Sequence, residues 1–212
     1  MQWTNRQPFV PSSILDRALL RRAALRYAAH GWPITPGSFL TGHRFDCGRP
    51  ECPITGCHPA LEGGAASATG DPVRIAAWWR RLPHTVLFPT GQVFDVLDVP
   101  ATIGRHGPDF GPVAVTAAGR WMYLIQPGGT LHPELDRRVD VVLHGDGSWV
   151  PAPPSRLPEG PVRWAIPPAR TRWRLPAPAL VQEHLVATLD TDRPPTAAAR
   201  VPRQLSTARR AA

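Results

Sequence analysis

The segment Val93-Phe94-Asp95-Val96-Leu97-Asp98-Val99-Pro100 is an apolar run broken by two aspartates, and runs like it recur on both sides of it. They lie at Thr85 to Phe88, Pro112 to Thr116, Arg120 to Gln126, Val139 to His144 and Ser148 to Pro151, with a further one at Val162 to Ala165. Turn residues separate them: Thr90-Gly91, Ala118-Gly119, Pro127-Gly128-Gly129 and Gly145-Asp146-Gly147. Short extended segments between such turns read as strands. Because they follow two helical stretches, they predict an α+β domain with a mainly antiparallel sheet and flanking helices.

The first helix is expected from Ser12 or Ser13 to His30, with Leu15, Leu19 and Ala23 on one stripe and Gly31 as its stop. Trp32 to Thr35 reads as a short strand. From Pro36 to Gly70 the chain is rich in Gly, Pro, Cys and His without clear periodicity, so it reads as a loop that needs outside help to order. A second helix follows Asp71 as cap and Pro72 at the first helical position, with Ile75, Trp78, Trp79 and Leu82 on its apolar face. A last one is expected over Ala179 to Leu189, after a proline-rich stretch from Pro151 to Pro178.

Composition sets the bounds of this reading. The 212 residues include 27 prolines and 18 glycines, which exclude a helical bundle, while 42% hydrophobic content suffices for a core. Arginine supplies all 24 of the Lys+Arg residues, against 16 acids, for a net charge of +8. Half of that charge sits in the tail 191–212, where Arg193, Arg200, Arg203, Arg209 and Arg210 face one acid, Asp192. The expected organisation is an extension over 1–11, a domain over 12–190 and a disordered basic tail over 191–212. The tail can touch phosphates or be a solvated end. No apolar run approaches the ~20 residues of a membrane helix, and the N-terminus lacks the pattern of a signal peptide. A cytoplasmic protein without a membrane partner is expected.

Three groups of residues carry possible chemistry. His43, Cys47, Cys52, Cys57 and His58 lie within sixteen positions of the loop. Thiolate and imidazole are natural tetrahedral zinc ligands, so Cys47, Cys52, Cys57 and His58 could close a structural site, the alternative being free cysteines in a surface loop. Metal-dependent nucleotidyl transfer places two carboxylates at i and i+2 of a strand. Asp98 has Pro100 at i+2, and Asp95 points to the other face unless a bulge intervenes. Asp98 is otherwise a strand-end hydrogen-bonding group. Finally, Asp140, Val142 and His144 are expected on one strand face ahead of a hairpin turn at Gly145-Asp146-Gly147, placed to serve a metal or a phosphate or to be a solvated edge.

Taken in order, these segments resemble the N-terminal domain of the bifunctional DNA primase/polymerase family, the archaeo-eukaryotic primase-like fold found in phage, plasmid and actinobacterial proteins. The resemblance covers about Ala23 to Trp164. It rests on Ala24-Leu25-Arg26-Tyr27-Ala28-Ala29-His30-Gly31-Trp32-Pro33, on Cys47-Gly48-Arg49-Pro50-Glu51-Cys52-Pro53 with His58-Pro59, and on Ala68-Thr69-Gly70-Asp71-Pro72 with Trp78-Trp79. Thr90-Gly91, Val96-Leu97-Asp98-Val99 and the run from Gly145-Asp146-Gly147 to Pro153-Pro154-Ser155 complete it. The resemblance implies an RRM-like core with a Cys/His loop insertion, zinc in that loop, and an Asp-h-Asp, His and Asp set that binds Mg²⁺ or Mn²⁺ and the incoming triphosphate.

Here the chain departs from the family. Asp98 is kept, but Pro100 replaces the second acid and Trp121 stands where Gly119-Arg120 leads one to expect His. Asp140 matches the third acid, with Val142 as the alternative register. The reading is therefore a degenerate primase-polymerase domain with Asp98 and Asp140 as remnant catalytic acids and Arg120 and His144 as nucleotide or nucleic-acid contacts. DNA, nucleotides and replication proteins are its expected partners. One alternative is an active nucleotidyltransferase in which Asp95 or Asp146 substitutes through a bulge. Another is a protein-interaction module whose cleft is filled by Trp121.

Overall fold

The structure, a computed structural model, describes residues 12–191. The expected extension 1–11 and the tail beyond Thr191 lie outside the described residues. Helix α1 spans Ser12–Ala29. Gly31 stops it with φ +79°, and the amides of Gly31 and Trp32 donate to the carbonyls of Ala28 and Tyr27 at 2.9 and 3.1 Å. The stripe that enters the core is Leu20, Ala24 and Tyr27, whereas Leu15 and Leu19 are 68% and 56% exposed. The expected stripe is thus corrected. The helix carries apolar residues on two sides, and the side with Tyr27 is anchored by aromatic contacts to Trp32, Phe88, Trp164 and Trp173.

After α1 come β1 (Thr35–Gly37), a hairpin of β2 (Phe39–Thr41) and β3 (Arg44–Asp46), and a 3₁₀ turn at Gly64–Ser67. The first strand begins later than expected because Trp32 is core filler rather than strand. Helix α2 (Pro72–Trp78) starts as its sequence dictates, with the Asp71 carboxylate accepting from the Val73 amide at 2.8 Å. The remaining elements are β4 (Thr85–Pro89), β5 (Asp95–Pro100), α3 (Ala101–Gly104), β6 (Val113–Val115), β7 (Arg120–Ile125) and α4 (Pro133–Asp136). Then follow β8 (Val142–His144), β9 (Trp149–Pro151), β10 (Arg156–Leu157), β11 (Gly160–Pro161), β12 (Arg163–Ile166) and α5 (Pro178–Thr191).

The fold is α+β, and its strand ladders are antiparallel. Its main sheet has the order β12-β6-β7-β5-β8. Within it, β5-α3-β6-β7-α4-β8 forms a split β-α-β-β-α-β unit, to which β12 adds an edge. A second sheet, β1-β4-β9, packs with α1. The turn at Gly145-Asp146-Gly147 does not close a hairpin as expected: β8 pairs with β5 and β9 with β4, so the chain crosses between sheets there. Another turn holds the crossing in place. The Thr90 amide donates to the Ser148 carbonyl at 3.0 Å, and a Cβ on Gly91 (φ +101°) would meet the Asp146 Cα at 2.2 Å.

Strand alternation divides the main sheet. Leu97, Val99, Tyr123 and Ile125 are buried beneath α3, α4 and α5 together with Leu135, Val181 and Leu185. On the opposite face Val96, Met122 and Leu124 join Phe88, Tyr27 and Trp32 in a second core. That face opens at one end, where Asp98, Pro100, Arg120 and His144 are only partly buried. Among the described residues no helix is long and apolar enough to cross a membrane.

Candidate functional site

The open end of this face is built by register. In the β5–β7 ladder Pro100 lies opposite Arg120 and Asp98 opposite Met122, and in β5–β8 Asp98 lies opposite Val142 and Val96 opposite His144. Directly opposed residues share a face. Asp98, Arg120 and His144 therefore converge. Arg120 Nε donates to Asp98 Oδ1 at 2.9 Å, its Nη2 to the Asp98 carbonyl at 3.1 Å and its Nη1 to the Asp140 carbonyl at 2.9 Å. With side-chain exposures of 29% and 16%, this ion pair is sheltered from water. His144 Nε2 is 3.7 Å from Asp98 Oδ2, and its Nδ1 is 3.0 Å from Ser148 Oγ.

The other acids do not join Asp98. Asp140 sits in the turn before β8 rather than on its face, so the expected alignment with Val142 and His144 does not form. Its carboxylate is gripped by Arg138, with Nε and Nη2 at 3.0 and 2.9 Å, which holds it below the usual carboxylate range. Asp95 lies on the opposite face, where its Oδ2 accepts from the Gly128 amide at 2.8 Å. The β5–β7 register is unbroken from Asp95 to Pro100, so no bulge brings Asp95 round. Asp146 lies in the inter-sheet turn. A two-ion site needs carboxylates that bridge both ions. Among the described residues Asp98 is the only carboxylate on the β5, β7 and β8 positions of this face, and a guanidinium occupies it. These residues do not fit a Mg²⁺ or Mn²⁺ pair.

Trp121 also leaves the cleft. It lies opposite Val99 and Val115, on the α3 side, where a Cβ added to Gly104 would meet its Cβ at 2.4 Å. The cleft is not filled by Trp121, and the β7 residues facing Asp98 are Arg120 and Met122.

Cys47, Cys52 and His58 gather instead. Their sulfur and nitrogen atoms lie within 4.8 Å of one another, and Cys52 Sγ is 3.5 Å from His58 Nε2. His58 Nδ1 is 2.8 Å from the Gly56 carbonyl, an acceptor only, so Nδ1 carries a proton there and Nε2 is the nitrogen turned to the thiols. Burial pushes the Cys47 thiol up, but hydrogen bonds from Arg49 and from its Cys52 and His58 neighbours outweigh this and bring it down to about 6. Arg49 reaches both sulfurs, at 3.5 and 3.8 Å. This donor set suits a soft or borderline metal such as zinc.

Cys57 is not part of it. The chain around His58 runs beside β1, with the Ser38 amide donating to the His58 carbonyl at 2.8 Å, so neighbouring side chains project oppositely. Cys57 is turned to Ser38 and Thr85, and burial pushes its thiol up to about 11. His43 is exposed. The cluster therefore offers three ligands rather than the expected filled shell of four.

Residues 24–180 match the family model for bifunctional DNA primase/polymerase, N-terminal. The chain belongs to this family. No curated protein and no solved structure matches it. The primase/polymerase match runs from within α1 to the start of α5, so it contains both the Asp98 face and the Cys/His loop. Two contributors to these sites escape a reading by sequence. Arg49 could be suspected from its place between Cys47 and Cys52, but Ser148 reaches His144 only because the inter-sheet turn folds back.

Proposed function

We propose that this primase/polymerase-family domain is catalytically degenerate and retains binding of nucleic acid or nucleotide at the Asp98 face. The supporting observation is the 2.9 Å Arg120–Asp98 ion pair with Pro100 at the position of a second acid. Phosphoryl transfer depends on positioned metal ions that neutralise developing charge. A lone carboxylate already neutralised by arginine attracts a divalent ion weakly. The same arrangement keeps a cation at the surface: three of the five guanidinium N–H groups of Arg120 are engaged, leaving two for a phosphate, with His144 on the other side of Asp98.

The test is nucleotide incorporation on a single-stranded DNA template with Mg²⁺ or Mn²⁺, alongside an Asp98→Ala control and a DNA-binding titration across salt. The expected result is no incorporation above the control, with binding that weakens steeply as salt rises. Incorporation that disappears in Asp98→Ala would establish an active nucleotidyltransferase. Absence of DNA and nucleotide binding at moderate salt would leave a protein-interaction role.

We also propose zinc as a structural ion held by Cys47, Cys52 and His58, which would order the loop against β1. About one equivalent of zinc in purified protein is expected, and less than half an equivalent would remove the site. On this reading the domain works in the cytoplasm beside replication proteins.

A further inference from the structure

A third region, away from both sites, has the form of a docking groove. It is a depression of about 320 Å³ between α1 and the segment that follows β12, with a floor of Tyr27, Pro153, Pro154, Trp164 and Trp173. Arg22 and Arg26 stand on its α1 rim. The opposite wall is formed by Pro167, Pro168 and Ala169, within a stretch, residues 160–178, that carries the exposed Arg163, Arg170, Arg172 and Arg174 and no acid. Among the described residues none of these six arginines forms an ion pair. Leu15 and Leu19, the leucines that α1 leaves outside the core, extend the apolar surface at one end.

The groove is held in shape by its own bonds. The Tyr27 hydroxyl donates to the Pro153 carbonyl at 2.6 Å and accepts from Trp164 Nε1 at 3.1 Å. Arg172 and Trp173 both adopt positive φ, 52° and 60°, a conformation rare for side chains of this size, and the Trp173 amide donates to the Pro168 carbonyl at 2.8 Å. This kink drives the Trp173 ring inward. There His30 stacks on it at 3.6 Å, Arg26 lies over it at 5.8 Å, and Tyr27 and Trp32 meet it at steep angles.

We infer that this groove docks an acidic peptide segment of a partner protein that carries a large apolar anchor. The apolar floor takes the anchor, and Arg22 and Arg26 on the rim, with the exposed arginines of the adjoining 160–178 stretch, take the carboxylates, for which the guanidinium fork is matched. A base-stacking surface for single-stranded nucleic acid would need an open aromatic face. Trp173 is engaged by His30, Arg26, Tyr27 and Trp32, and Trp164 is tied to Tyr27, so the cationic rim surrounds a pocket for a side chain rather than a stacking platform.

The test is fluorescence anisotropy on the full chain with four labelled probes: Asp-Asp-Asp-Gly-Leu-Phe, the same peptide with Ser-Ser for Leu-Phe, the same with Lys for Asp, and a twelve-residue oligo-dT. The anchored acidic peptide is expected to bind at least about tenfold more tightly than either peptide control, and more weakly as salt rises. Arg22→Ala/Arg26→Ala and Leu19→Ser, all at exposed positions, should each weaken it several-fold with an unchanged circular dichroism spectrum. Arg120→Ala should leave it intact. No binding at millimolar peptide, equal binding of the serine control, or indifference to the groove variants overturns the inference. So does tighter binding of oligo-dT that the same variants abolish, which would make the groove a nucleic-acid surface. Oligo-dT binding lost only in Arg120→Ala bears on the Asp98 face and leaves the peptide comparison to decide the groove.

Discussion

The Asp98 face and the Cys47–His58 loop both gather side chains of types that can ligate a metal, and they differ in what fills the space between those groups. On the β5 face, rigid strand register sets positions, and at the positions where carboxylates would converge it places Pro100 and Arg120. In the loop, a chain with little regular structure brings two sulfurs and an imidazole nitrogen within 4.8 Å. A ligand's identity therefore counts for less than what its neighbours supply. Arg120 satisfies Asp98 internally, whereas Arg49 lowers Cys47 toward the thiolate that a metal requires.

The largest way to break this contrast is Arg120→Ala. It strands a sheltered carboxylate and frees the carbonyls of Asp98 and Asp140, so a loss of about 2–4 kcal/mol in urea unfolding is expected. Asp98→Ala/Arg120→Ala should lose less than Arg120→Ala. A single variant with unchanged stability would mean that Arg120 is not seated on Asp98.

Next in size is the loop. Cys52→Ala should abolish zinc retention and lower the melting temperature by several degrees, about 2 kcal/mol for a domain of this length. Cys57→Ala provides the counterpart. Zinc stoichiometry should not change, because that thiol faces Ser38 and Thr85, and loss of the ion in this variant would restore it as a ligand.

The fold itself was largely legible. Asp71-Pro72 marks the start of α2, and turn residues bracket β4, β5, β6 and β7, because capping and turn chemistry act within a few residues. The i to i+2 rule also placed Asp98 with Pro100 and sent Asp95 to the other side. What failed depended on partners distant in sequence. The buried side of α1 was decided by Tyr27 contacts across the core, and the two strands flanking Gly145-Asp146-Gly147 by pairings to β5 and β4. Trp121 was misplaced because Trp121 and Arg120 are neighbours, and a one-residue difference in register exchanges the faces. Cys57 and His58 present the same ambiguity.

A smaller effect sharpens the picture of the scaffold behind the loop. His84 is buried against β1, its Nδ1–H donating to the Gly37 carbonyl at 2.9 Å. Burial depresses its affinity for a proton, an effect partly offset by that bond. A depressed value means that this contribution to stability is present above the ordinary value of 6.5 and is lost as pH falls through the depressed one. Chemical denaturation at pH 7 and pH 5 should show a drop that His84→Phe reduces.

The most direct test of the central claim is a Mn²⁺ titration followed by electron paramagnetic resonance on zinc-loaded protein, comparing the unmodified chain with Arg120→Ala and Asp98→Ala. If Arg120 holds the position of a catalytic cation, the unmodified chain leaves Mn²⁺ free, and Arg120→Ala gains one weak site. Two tightly held ions in the unmodified chain, lost in Asp98→Ala, would contradict the account and return the domain to the active primase-polymerases.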